Sequence, residues 1–135
     1  MEERMKHLEM IQGIIQRMAN NSFLMKGWVV TLIVAVFVLA DSTTNQNYFW
    51  VAFVPIIFFW FLDSYYLTLE RKYIFLYDKV RKKSGKVDFD LNITDITYRK
   101  VGNINLIFIR CLFSLSEVFF YLPLGIIMII IYAIR

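Results

Sequence analysis

The sequence predicts an all-α membrane protein of three transmembrane helices, with an amphipathic amino-terminal helix and a basic cytoplasmic helix-plus-extended segment. Three observations carry this expectation. Hydrophobic residues fill 59% of the 135 positions and mean hydropathy is +0.54, against roughly 45–50% apolar residues in an average protein. Three apolar runs are separated by polar stretches, and the basic residues collect in one of those stretches. A small soluble domain buries only part of its surface, so it cannot hide this many Phe, Ile and Leu side chains. Lipid is the expected solvent.

Residues 2–19 read as a helix. Leu8, Ile11, Ile15 and Met18 follow a 3–4–3 spacing, and Met5 and Ile14 widen the stripe. Asn20-Asn21-Ser22 is expected to break or cap it, so residues 1–22 form a separate amphipathic unit. At two heptads such a helix is too short to stand alone. Either it lies on the membrane or on the cytoplasmic segment, or it joins subunits in a short bundle. These first 22 residues are polar and charged, so no cleavable signal peptide is expected.

The first span runs from Phe23 to Ala40, with Lys26 as its one charge. Lys26 is expected to extend to the headgroups, beside Trp28 in the interfacial aromatic belt. A polar turn, Asp41 to Asn47, leads to the second span, Tyr48 to Leu62, fringed by Trp50 and Trp60 and able to continue through Leu67. Pro55 is expected to kink it. The two spans and their turn occupy residues 23–68.

Residues 69–103 form the basic segment. Tyr66, Leu69, Tyr73, Leu76, Tyr77 and Val80 recur at helical spacing, so the second span should continue as one helix to about Lys83. Val87 to Ile93 then alternates apolar and polar residues, which fits a strand or an extended segment laid over that helix. From residue 71 to 103 there are nine basic residues and four acidic ones, a balance of +5. The plain reading is topogenic: these charges hold the segment inside and touch anionic lipid at about 1 kcal/mol each. The sharper reading is a docking surface for a nucleotide or oligonucleotide, using Arg71, Lys72, Lys79, Lys82, Lys83, Arg99 and Lys100, with tyrosines to stack on bases. No Gly-rich phosphate loop accompanies them.

The third run, Ile104 to Ile134, would reach about 45 Å as one helix, longer than a hydrocarbon core of roughly 30 Å. It is read either as one tilted helix or as an interfacial piece to about Ser116 followed by a span from Glu117. Lysine and arginine set direction. The Asp41–Asn47 turn has none, whereas Arg4, Lys6, Arg17 and the basic segment carry most of them. The amino terminus and the basic segment are therefore expected on the cytoplasmic side and the carboxyl terminus on the opposite side.

Asp63, Arg110 and Glu117 stand at membrane depth, where a charge costs at least ~2.5–3.5 kcal/mol unless it faces protein or water. Arg110 and Glu117 are two helical turns apart with Ser114 between them, and Asp63 is a candidate partner for Arg110. The alternatives are interfacial snorkelling and a polar lock or pore lining built from Asp63, Arg110, Ser114 and Glu117. Cys111 is the only cysteine and His7 the only histidine, so neither a disulfide nor a metal-ligand set is expected. No serine has a base within a recognisable motif. The reading is a non-enzyme without cofactor.

Leu8-Glu9-Met10-Ile11-Gln12, Arg17 to Phe23, Lys26 to Leu32, Phe59 to Leu67, Glu70-Arg71 and Leu76 to Arg81 together resemble a set of small bacterial inner-membrane proteins. In function these resemble small transmembrane effectors of anti-phage defence systems, which sit beside a nucleotide-signal or TIR-type partner. The resemblance covers roughly residues 6–83. It implies a homo-oligomer that permeabilises or depolarises the membrane, alongside a co-encoded cytosolic defence protein. It also implies weight on Asn20, Asn21, Lys26, Asp63, Tyr66, Glu70 and Arg71. The class-different expectation is a non-conducting anchor or accessory subunit that recruits a cytosolic partner.

Overall fold

The computed structural model describes residues 1–41, 47–94 and 106–134. Five helices follow in order: α1 (Glu2–Asp41), α2 (Asn47–Val51), α3 (Phe53–Lys82), α4 (Leu106–Leu112) and α5 (Leu115–Ile134). There is no strand among the described residues. Among the described residues, three helical stretches are long and apolar enough to cross a membrane: Glu2–Ala40, Phe49–Lys82 and Leu115–Ile134. The chain is an all-α protein of three membrane-compatible helices.

Cross-contacts fix the directions. On α1, Arg4 meets Gly85, Ser22 meets Asp63 and Phe37 meets Phe49, so α1 and α3 are antiparallel. On α5, Tyr121 meets Asp63 and Tyr132 meets Phe49, so α5 runs antiparallel to α3 and alongside α1. The result is an up-down-up bundle with two apolar cores. One joins all three helices through Val29, Ile33, Ala52, Ile56, Tyr121 and Met128. The other joins α1 to the far half of α3 through Ile11, Leu76 and Val80. Around the first core, Phe23, Val38, Phe58 and Phe119 point outward and are exposed, as a lipid-facing surface requires.

The expected break at Asn20-Asn21-Ser22 does not occur. α1 is one helix of 40 residues, about 60 Å long. The polar side chains find partners that leave the backbone helical: Asn20 accepts from Gln16 one turn back, and Ser22 donates across to Asp63. Neither is spent on a cap.

Pro55 acts at the start of a helix instead of inside one. It is the third residue of α3, where a missing N–H costs little. Its ring excludes the carbonyl four residues back from continuing a helix, and the chain turns at Ala52, whose N–H bonds to Phe49 at 3.1 Å. α3 continues unbroken to Lys82, close to the expected end.

Val87 to Ile93 is an extended segment laid over the helices, the second of the two readings. Leu91 and Ile93 pack against the Ile11–Leu76–Val80 core. Side-chain oxygens stand in for a ladder partner: Asp90 and Asn92 each accept the backbone N–H two residues on, from Asn92 and Thr94, at 2.9 Å. Lys83 bonds Asp88 at 3.0 Å, and that bond holds the exposed Asp88 carboxyl below its usual range. Phe89 takes a φ of 50°, sparsely populated for a residue with a side chain, and its ring lies on His7.

The third run is interrupted, as the two-piece reading expects. α4 ends at Leu112 and α5 begins at Leu115. Trp60 on α3 donates to the Leu112 carbonyl at 3.1 Å, satisfying a group that the break sets free.

Candidate functional site: a buried ionic cluster between two cores

Between the two cores the bundle changes character. Ser22 and Lys26 lie one turn apart on α1 and face Asp63 on α3 and Glu117 on the first turn of α5. The Lys26 ammonium pairs with Asp63, reaches Glu117 Oε1 at 3.2 Å and donates to Ser22 Oγ at 3.2 Å. Ser22 also donates to Asp63. Tyr121, one turn beyond Glu117, donates its hydroxyl to Asp63 Oδ2 at 3.1 Å. Asp63 and Glu117 are 0% and 1% exposed, so both are cut off from bulk solvent. The rings of Phe120 and Tyr121 flank the ammonium at 5.8 and 5.9 Å, close enough for cation–π attraction.

The cluster sits at one depth on three helices. From Lys26 to Asp41, from Asn47 to Asp63 and from Glu117 to Ile134 there are 15, 16 and 17 residue steps, or about 22–26 Å of helix. Each of these stretches is shorter than a hydrocarbon core of roughly 30 Å. Next to them, the buried hydroxyls of Ser64 and Thr68 donate to carbonyls one turn back, at 2.7 and 2.8 Å, and need no partner elsewhere.

Three expectations are corrected here. Asp63 pairs with Lys26, not with Arg110, which is exposed on α4. The Arg110–Glu117 face does not form either, because the α4–α5 break lies between the two residues. Lys26 does not extend to the headgroups. Two buried carboxylates draw it inward, and only 19% of its side chain is exposed. Ser114 is half-buried at the break, and its hydroxyl has no partner among the described residues. Of the four polar residues expected at membrane depth, the structure brings Asp63 and Glu117 together.

No family model, curated protein or solved structure matches the chain.

The basic segment divides in a similar way. Lys79 and Lys83 line a cavity of about 90 Å³ with Arg4, His7, Lys86 and Asp90. Arg71 is exposed and Lys72 half-buried elsewhere on α3, Lys82 does not line this cavity, and Arg99 and Lys100 fall outside the described residues. His7 is 1% exposed and its Nε2 lies 3.0 Å from the Asp90 carbonyl. A carbonyl only accepts, so Nε2 carries the hydrogen. Among the described residues Nδ1 has no partner. The α1 contribution was hidden in the sequence, because Arg4 and Lys83 are close only once α1 and α3 are known to be antiparallel.

Tyr121 offers a mild probe of the cluster. Tyr121→Phe keeps the ring but removes a donor to a charged carboxylate, a bond worth about 1.5 kcal/mol. A matching loss of stability is expected in detergent unfolding, with helix content unchanged.

Proposed function

We propose that this chain is a homo-oligomeric inner-membrane effector, a gated pore or permeabiliser of a bacterial anti-phage defence system, controlled through its cytoplasmic part. The observation that carries this reading is the ionic cluster. The only charged contacts joining three helices among the described residues lie in one layer, and α1 and α3 continue unbroken from that layer to the basic cavity. A nucleotide-like ligand or a partner protein that shifts α1 against α3 would strain the cluster directly. The Lys26 ammonium is held by carboxyl groups of its own protomer, which suits a closed state. A three-helix protomer encloses no aqueous path, so conduction requires several copies. The defence setting is supported by the residue pattern of positions 6–83, and the cytoplasmic orientation by the distribution of Lys and Arg.

The same inward matching of charges also favours a second reading. A protomer that turns Lys26, Asp63 and Glu117 toward one another presents an apolar exterior, which suits a non-conducting anchor that recruits a cytosolic partner. Purified protein in planar bilayers separates the two. The effector reading expects an oligomer that conducts, with conductance altered by a candidate nucleotide. Well-folded oligomers that never conduct, with or without nucleotide, establish the anchor, and a strict monomer in detergent excludes a pore.

A further inference from the structure

Glu117 is poorly satisfied as an anion. Its Oε1 shares the Lys26 ammonium with Asp63, and its Oε2 is buried and has no partner among the described residues. The immediate cluster holds two carboxyl groups and one ammonium, so full ionisation would leave a net negative charge inside the bundle. Burial without a partner is expensive for a carboxylate, and two carboxylates on one ammonium oppose each other's charge. The asymmetry between them is plain. Asp63 receives hydrogen bonds from Ser22, Lys26 and Tyr121, whereas among the described residues Glu117 receives only the one from Lys26.

We infer that Glu117 is a proton-binding site: at neutral pH its carboxyl is neutral, with the hydrogen on Oε2, while Asp63 keeps the negative charge that matches Lys26. The proton is then the ligand that makes the layer electroneutral, and its release sets an uncompensated charge against α1 and α3. The groups facing this site are Lys26 and Ser22 from α1, Asp63 from α3 and Tyr121 from α5 itself. Glu70 lies two turns further along α3, and α4 brings the buried Cys111 while its Arg110 faces outward. None of these supplies a second cation to Glu117. The inference does not depend on whether the assembled protein conducts, because its readout is the carboxyl group itself.

Infrared spectroscopy of the full chain in lipid vesicles tests it. A carbonyl band of a protonated carboxylic acid is expected at neutral pH in the wild type. It should be absent from Glu117→Gln, which keeps the neutral shape, and retained in Tyr121→Phe. Raising the pH on the wild type alone should abolish the band, so the test survives a variant that folds poorly. The sign for stability follows: a native state that holds a proton the unfolded chain has lost becomes less stable as pH rises. Wild-type melting temperature should therefore fall on alkalinisation more steeply than that of Glu117→Gln. No protonated-carboxyl band at neutral pH, or a band that persists in Glu117→Gln, overturns the inference. So does a band removed by sodium at constant pH, which would make the site a metal-cation site instead.

Discussion

Asp63→Ala is expected to cost about 3–5 kcal/mol, the usual penalty for removing one member of a buried ion pair. The loss falls on several groups together. Lys26 loses the carboxylate that matches its charge, the Ser22 hydroxyl loses its acceptor, and the Tyr121 hydroxyl keeps only the 3.4 Å bond to the Phe59 carbonyl. Protein in detergent should unfold at a distinctly lower temperature, and a protease should cut it faster at a fixed temperature. A charge exchange identifies the partner. Lys26→Asp combined with Asp63→Lys should recover part of what Asp63→Lys alone loses, whereas Arg110→Asp combined with Asp63→Lys should recover nothing, because Arg110 is exposed on α4. Recovery through Arg110 would mean that the cluster has been assigned to the wrong cation.

The second large effect belongs to Ile11, which is 0% exposed and packs against Leu76 and Val80. Ile11→Ala should cost about 2–5 kcal/mol, the range for truncating a buried aliphatic side chain. The loss should be local. No part of α5 belongs to this core, so the amino-terminal half of α1 is held mainly by α3 and by the extended segment. Hydrogen exchange should quicken over residues 2–20 while the region around Val29 and Ile56 stays protected. Uniform loss of protection across both cores would show instead that the two cores unfold together.

The spans were legible because lipid imposes one rule on all of them, a long apolar run with its backbone satisfied internally. The continuation of α3 was legible for a related reason, since Leu69, Tyr73, Leu76 and Val80 keep helical spacing past the last apolar run. The ionic cluster was only half legible. Asp63 and Glu117 stood out as charges at depth, but Lys26, near the start of its run, fitted the headgroup reading equally well. Which cation meets which carboxylate depends on the relative height of three helices, and that is a tertiary quantity. The Asn20-Asn21-Ser22 triplet misled for the opposite reason. It has the composition of a cap, and only a partner on another helix makes a continuous helix the better use of Ser22.

The unbroken α1 also behaves like a threaded rod seated against a single catch. One helical turn is about 5.4 Å, so sliding α1 by a turn brings Val30 or Ser22 to the height now held by Lys26. Neither carries a charge, and either slip would strip Glu117 of its ammonium. Apolar helices usually tolerate neighbouring registers, since one Leu or Val contact replaces another at little cost. Here Lys26 is the one cation of α1 that meets Asp63 and Glu117, so the bundle has one thread position that closes and none adjacent to it. Movement of α1 would then come as a discrete step, not as a gradual creep.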